Sequence, residues 1–118
     1  MKFMLMIVEP RGQRGGRDEA EGRALYAEMV AFGQGLHEQG KLHASESLRP
    51  DEHAVRVRQA QGKPQLLDGP FAEAREMVGG FFLIEAADRD EAVEIAQRCP
   101  AARFATVEVR ECAPCYVK

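Results

Sequence analysis

The sequence predicts an α+β domain in which one antiparallel sheet carries two helices on a single face. Three observations lead there. Two runs, "KFMLMIV" from Lys2 and "FFLIEA" from Phe81, are apolar at both parities, the pattern of central strands buried on both faces. Two other segments repeat apolar residues at helical spacing behind acidic start signals. The elements then read β, long α, β with a hairpin, β, α, β, which is the split βαβ arrangement. Right-handed crossovers in that order put the first and third main strands at the centre of the sheet and the second and fourth toward its edges.

The first strand covers Lys2 to Val8, with Phe3, Leu5 and Ile7 on one side and Met4, Met6 and Val8 on the other. "RGQRGGR" follows and reads as a flexible loop. It has arginines and glycines that could cradle a phosphate, but it lacks the Lys-Ser/Thr of a P-loop and the spacing of a dinucleotide fingerprint. Asp18 with Glu21 three residues on resembles a capping box, so a helix starts near Glu19. Leu25, Met29, Phe32 and Leu36 form its apolar stripe and Gly40 stops it. Gly33 and Gly35 each weaken the helix by about 1 kcal/mol relative to Ala, or mark the approach of another backbone.

"KLHASESL" alternates Leu42, Ala44, Glu46 and Leu48 against His43, Ser45 and Ser47, a less buried strand. "AVRVRQ" and "PQLL" flank the turn "AQGK" as a hairpin whose Pro64 suits an edge. After the second central strand, "DRDEAVEIAQRCP" is a short helix starting from Asp88, with Ala92, Val93, Ile95, Ala96 and Cys99 inward and Pro100 as its end. "FATVEVRE" closes the sheet, with Val107 and Val109 facing in.

At 118 residues the chain is one domain, residues 1–118, with 112–118 as a short tail. Apolar residues at 45%, charged residues at 30% and a net charge of -3 describe a soluble globular protein without the basic excess of a nucleic-acid surface. No run approaches a membrane span, and the start is too short for a signal peptide, so a cytoplasmic location is expected. Three cysteines without an export signal are expected to be free thiols. Cys112-Ala113-Pro114-Cys115 is a C-x-x-C, but no helix follows it to lower a thiol pKa and a zinc site would need two more ligands, such as the same pair from another subunit, so it reads as tail. Two helices cover one face only. The other is expected to pack on a second copy in an obligate homodimer.

"DGPFAEAREMVGGFFLIEA", followed by "DEAVEIAQRCP" and "VEVR", resembles the DGPF branch of the YCII-related family, and the likeness runs from "MKFMLMI" through "VEVR". The resemblance implies a ferredoxin-like fold that dimerises face to face into an α/β barrel, with a cleft at the sheet and dimer interface. It implies small-molecule chemistry, since relatives of this architecture include isomerases and monooxygenases. The alternative is a non-catalytic regulatory or interaction module, because the domain also occurs alongside sigma-factor-like regulators. No cofactor and no metal is called for.

Related YCII proteins are proposed to use a His and an Asp. Asp68 matches that Asp by motif, and His43 is the leading histidine ahead of His37 and His53. Where the family commonly shows Gly-Glu-Gly, this chain has Ser45-Glu46-Ser47, which makes Glu46 the second transferable carboxylate. A plainer reading of Asp68 competes: a carboxylate before Gly69-Pro70 caps a turn, Pro70 takes a first helical position and Glu73 complements the helix dipole. On that reading the segment is a corner bordering a pocket, with Gly79 and Gly80 as its exit.

Overall fold

The computed structural model describes residues 1–118. Six strands and two helices follow the expected order: β1 (Lys2–Pro10), α1 (Glu19–Glu38), β2 (Leu42–Ser47), β3 (Val55–Ala60), β4 (Lys63–Asp68), β5 (Glu76–Glu85), α2 (Arg89–Arg98) and β6 (Thr106–Glu111). Four of the strands make the antiparallel sheet β2-β5-β1-β6, with the two doubly apolar strands at its centre, and β3-β4 form a separate hairpin.

The pleat of β1 sorts its side chains. Phe3, Leu5, Ile7 and Glu9 are buried on the helix side, while Met4, Met6 and Val8 are half-buried on the open side. Opposite them on β5, Ile84, Phe82 and Gly80 pair with Phe3, Leu5 and Ile7. The register then slips at Ile7/Val8, so that Val8 faces Val78 and Gly79 is the extra residue of a β-bulge. Strand β2 departs from simple alternation for the same kind of reason. A slip between Leu42 and Ala44 leaves Leu42 opposite Ile84 and Ser45 opposite Phe82, and sends Ala44 and Glu46 to the other face, opposite Leu83 and Phe81.

Both helices begin where their acids indicate. The Asp18 carboxylate accepts from the Glu21 N–H at 2.8 Å, and Asp88 accepts from Glu91 N–H at 2.9 Å. Gly40, at φ +70°, ends α1, and the next amide, Lys41 N–H, returns to Leu36 O at 2.8 Å. Met29, Phe32 and Leu36 of the stripe meet the core, where the Phe32 and Phe82 rings cross edge to face at 5.1 Å. Gly33 faces a side chain, the Phe82 ring, and not another backbone; nothing lies within 4 Å of Gly35. The core is centred on Leu5, Ile84, Ala92 and Ile95, each 0% exposed. Cys99 closes it as a free thiol whose pKa burial pushes up.

The segment after Asp68 departs from the capping expectation: no helix begins at Pro70. Asp68 is exposed at the end of β4, opposite Val55. The carbonyls of Phe71 and Ala74 are taken instead by the Arg11 guanidinium, at 3.1 and 3.2 Å, and Arg11 also pairs with Asp51 at 2.8 Å. Phe71 is buried beneath the Arg56 guanidinium, 3.8 Å from the ring centre. These contacts tie the hairpin to the body. Past β6, Cys112 N–H still donates to Lys2 O at 2.9 Å, and Cys112 and Cys115 are exposed free thiols.

Two glycines therefore respond to alanine in opposite directions. A Cβ at Gly69 would lie 1.8 Å from the Asp51 backbone oxygen, so Gly69→Ala is expected to cost about 2 kcal/mol or more as the knot is forced apart. Gly35→Ala meets open space inside α1 and is expected to stabilise by about 0.5–1 kcal/mol. Urea unfolding of the two variants checks both signs.

Candidate functional site

On the helix side of the sheet, the core stops short of the end where β1 and β5 slip register. A cleft of about 740 Å³ opens there between the first turns of α1 and the sheet. Gly79, Gly80 and Ile7 supply sheet backbone and apolar surface, Ser45 and Ser47 stand along the β2 edge, and Met29 comes from α1. Phe104 faces them from the turn before β6.

Glu9 is the buried acid of this cleft. It continues the inward series Phe3, Leu5, Ile7 and is only 3% exposed. Burying a carboxylate costs several kcal/mol unless a partner compensates, and the partner is Arg14, whose Nη2 lies 2.6 Å from Glu9 Oε1. The guanidinium is fixed from outside as well: its Nη1 donates to Leu48 O at 2.7 Å and its Nη2 to Gly79 O at 3.2 Å. Arg14 is therefore aimed at carbonyls as much as at the acid. Glu9 Oε1 is thus enclosed against the cation, while Oε2 takes no hydrogen bond from the protein.

The bulge makes this arrangement fit. A Cβ on Gly79 would fall 2.4 Å from Glu9 Oε1 and 2.8 Å from Arg14 Nη2, so the extra residue of the bulge has to lack a side chain. Gly79 and Gly80 are thus a floor pressed against an ion pair and a neighbouring strand, and not the exit of a turn. The loop "RGQRGGR" differs from expectation too. Besides Arg14, Gln13 Nε2 donates to Phe104 O at 2.7 Å and the Arg17 guanidinium sits 4.7 Å over the Phe104 ring, so the loop is pinned across the cleft.

The three residues singled out from the sequence separate. Glu46 borders the cleft rim only through its backbone on the edge strand β2; paired opposite Phe81, it presents its exposed side chain to the open sheet face. Asp68 lies outside the cleft, at the end of the hairpin. His43 lies at the β2 slip, where its Nε2 is 2.8 Å from Glu85 Oε1, and the N-terminal ammonium binds the other Glu85 oxygen. The ammonium first and His43 second hold the Glu85 carboxyl below its ordinary value. The structure thus joins His43 to Glu85 and not to Asp68, and of the three it brings only the Glu46 backbone to the cleft. Glu9 and Arg14 were not anticipated from the sequence. The signal was the parity of β1, which places residue 9 with Phe3, Leu5 and Ile7.

The fold and cleft define a ferredoxin-like α+β domain with a pocket between helix and sheet. The chain belongs to the YCII-related domain family, whose model matches residues 1–115. The match passes Val109 and takes in Cys112 and Cys115, so the tail cysteines lie within the family's span and not beyond it. An uncharacterised protein of Rhizobium meliloti (strain 1021) is 40% identical over 97 residues, covering 82% of this chain and 78% of that protein. Among solved structures, the 5-chloro-2-hydroxyhydroquinone dehydrochlorinase TftG of Burkholderia phenoliruptrix AC1100, in complex with 2,5-dihydroxybenzoquinone, superposes with a TM-score of 0.55 at 17% identity. The alignment covers 96% of this chain and 94% of that one and establishes the shared fold.

If the Glu9–Arg14 pair carries the floor of the cleft, breaking one half costs more than removing both. Arg14→Met strands a buried carboxylate and is expected to destabilise by about 3 kcal/mol, whereas Glu9→Met with Arg14→Met recovers most of that loss. Denaturant unfolding of the single and double variants measures the difference.

Proposed function

We propose that this YCII-family chain binds a small molecule, and acts on it, in the cleft between α1 and the sheet. One observation carries the reading: a buried carboxylate stands at the floor of an open cleft of about 740 Å³ lined by both apolar and charged residues. Binding sites combine apolar lining with a few placed polar groups in this way, and volumes of this order hold metabolite-sized ligands. That a fold neighbour is solved with 2,5-dihydroxybenzoquinone supports a ring-sized ligand for the architecture. The cleft is lined from within one chain, so the site does not need a second copy to complete its lining.

A homodimer is proposed beside this site. Met4, Met6, Val8, Phe81 and Leu83 are half-buried on the face that no helix covers, and Val78 beside them is 45% exposed. A second copy packed sheet to sheet removes this apolar strip from water and puts helices on both outer faces. Sedimentation velocity at micromolar concentration is expected to show a dimer for the native chain and aggregation for Met4→Asp; a soluble native monomer contradicts the pairing.

The cleft itself is tested with a mixed library of small fragments by ¹⁵N amide shifts. Fragment hits are expected to move Ser45, Gly79 and Gly80 together, leaving the α2 amides unmoved. Shifts confined to the hairpin or the open sheet face overturn the cleft as the binding site and favour the interaction-module reading.

A further inference from the structure

Resting on the cleft as the binding site, we propose that Glu9 is its recognition group for a neutral ring compound bearing a hydroxyl, with Oε2 accepting that hydroxyl's hydrogen. Four features converge on this chemistry. The Glu9 side chain is 4% exposed and lines the cleft; Oε1 is enclosed against Arg14, whereas Oε2 is not enclosed and takes no hydrogen bond from the protein. A carboxylate oxygen this little hydrated gains from a donor, and the cleft is the direction from which one can come.

The second feature is that the pair is electrically complete. Arg14 balances Glu9, and its nitrogens are also spent on the carbonyls of Leu48 and Gly79. A ligand carboxylate or phosphate would have to compete with Glu9 and those carbonyls for the same guanidinium. The rest of the cleft does not call for an anion either. Glu9, Asp18 and Glu19 face three guanidiniums there; Arg17 lies over the Phe104 ring, and Arg23 is paired with Glu19 at 2.7 Å. A neutral donor fits the floor better than a charge of either sign.

Third, the surfaces flanking the carboxylate are shaped for a flat apolar body. Phe104 and Tyr26 supply aromatic surface and Met29 a pliable apolar one, while Gly79 and Gly80 leave the opposite wall bare of side chains. The fourth is rigidity. Glu9 sits on the central strand of the sheet, with Gly79 blocking one flank and Arg14 held by three partners, so the acceptor is set before any ligand arrives.

Phenol, toluene and benzoate distinguish the readings because they share a ring and differ in one substituent: a donor, an isosteric methyl and an anion. Each is titrated into the ¹⁵N-labelled native chain, following the Gly79 and Gly80 amides. Phenol is expected to bind at least about tenfold more tightly than toluene, the scale of a hydrogen bond to a charged acceptor, and benzoate to bind more weakly than phenol. In Glu9→Met the preference for phenol over toluene is expected to vanish; if that variant does not fold, the native comparison decides alone. Equal binding of phenol and toluene overturns the role of Glu9 while leaving the cleft in place. Benzoate binding tightest also overturns it, in favour of an arginine-led anion site. If none of the three moves Gly79 or Gly80 while library fragments do, the hydroxyl-ring ligand is wrong and the cleft stands. If neither probes nor fragments move them, both readings fall.

Discussion

The pairing of β1 with β5 is the contact on which the rest of the structure depends. It runs from Lys2 opposite Glu85 to Pro10 opposite Glu76 and joins the two strands that carry most of the core. Its one irregularity, at Ile7/Val8, is where the molecule changes purpose. On the regular side, Phe3, Leu5, Phe82 and Ile84 interlock beneath the helices as packed hydrocarbon. Past the slip, the same inward face carries Glu9, and the extra residue opposite is a glycine. A bulge is a low-cost way to re-aim one strand while keeping the ladder on either side intact, and such features recur beside functional sites.

Core and cleft are thus two ends of one surface under opposite demands. Toward α2, burial is complete and the stabilisation comes from apolar area removed from water. Toward the first turns of α1, the surface is left partly open and a charge is buried at a cost only partly offset by Arg14. A protein that needed stability alone would fill this end with hydrocarbon, since replacing a buried ion pair by apolar side chains is often neutral or favourable. The acid instead pairs with Arg14 through Oε1 and keeps Oε2 free of protein donors. Gln13 and Arg17 on Phe104 pin the Arg14 loop, which holds the counter-ion of that acid in place.

Much of the architecture was legible in the chain because it rests on local, repeated signals. The both-parity runs identify the central strands, Asp18 and Asp88 cap the helices, and Gly40 stops the first of them. The site was less legible because it depends on register, which no local pattern reports. The slip at His43 turns Glu46 and Ser45 to faces that simple alternation does not give, and sends His43 to Glu85. The "DGPF" turn reads locally like the start of a helix, yet Arg11, some sixty residues earlier in sequence, claims the carbonyls such a helix would need. Glu9 was within reach of parity alone. Beside Pro10 it reads as the end of a strand, and only the half-buried Arg14 and the facing Gly79 mark it as part of the cleft.

The most direct test of this account is a crystal structure of the chain soaked with phenol. The account predicts a ring in the cleft between Phe104, Met29 and the Gly79–Gly80 backbone, with its oxygen within hydrogen-bonding distance of Glu9 Oε2 and the Glu9–Arg14 contact intact. A ring bound on the open sheet face or against the hairpin, or a ring in the cleft whose oxygen points away from Glu9, would contradict it.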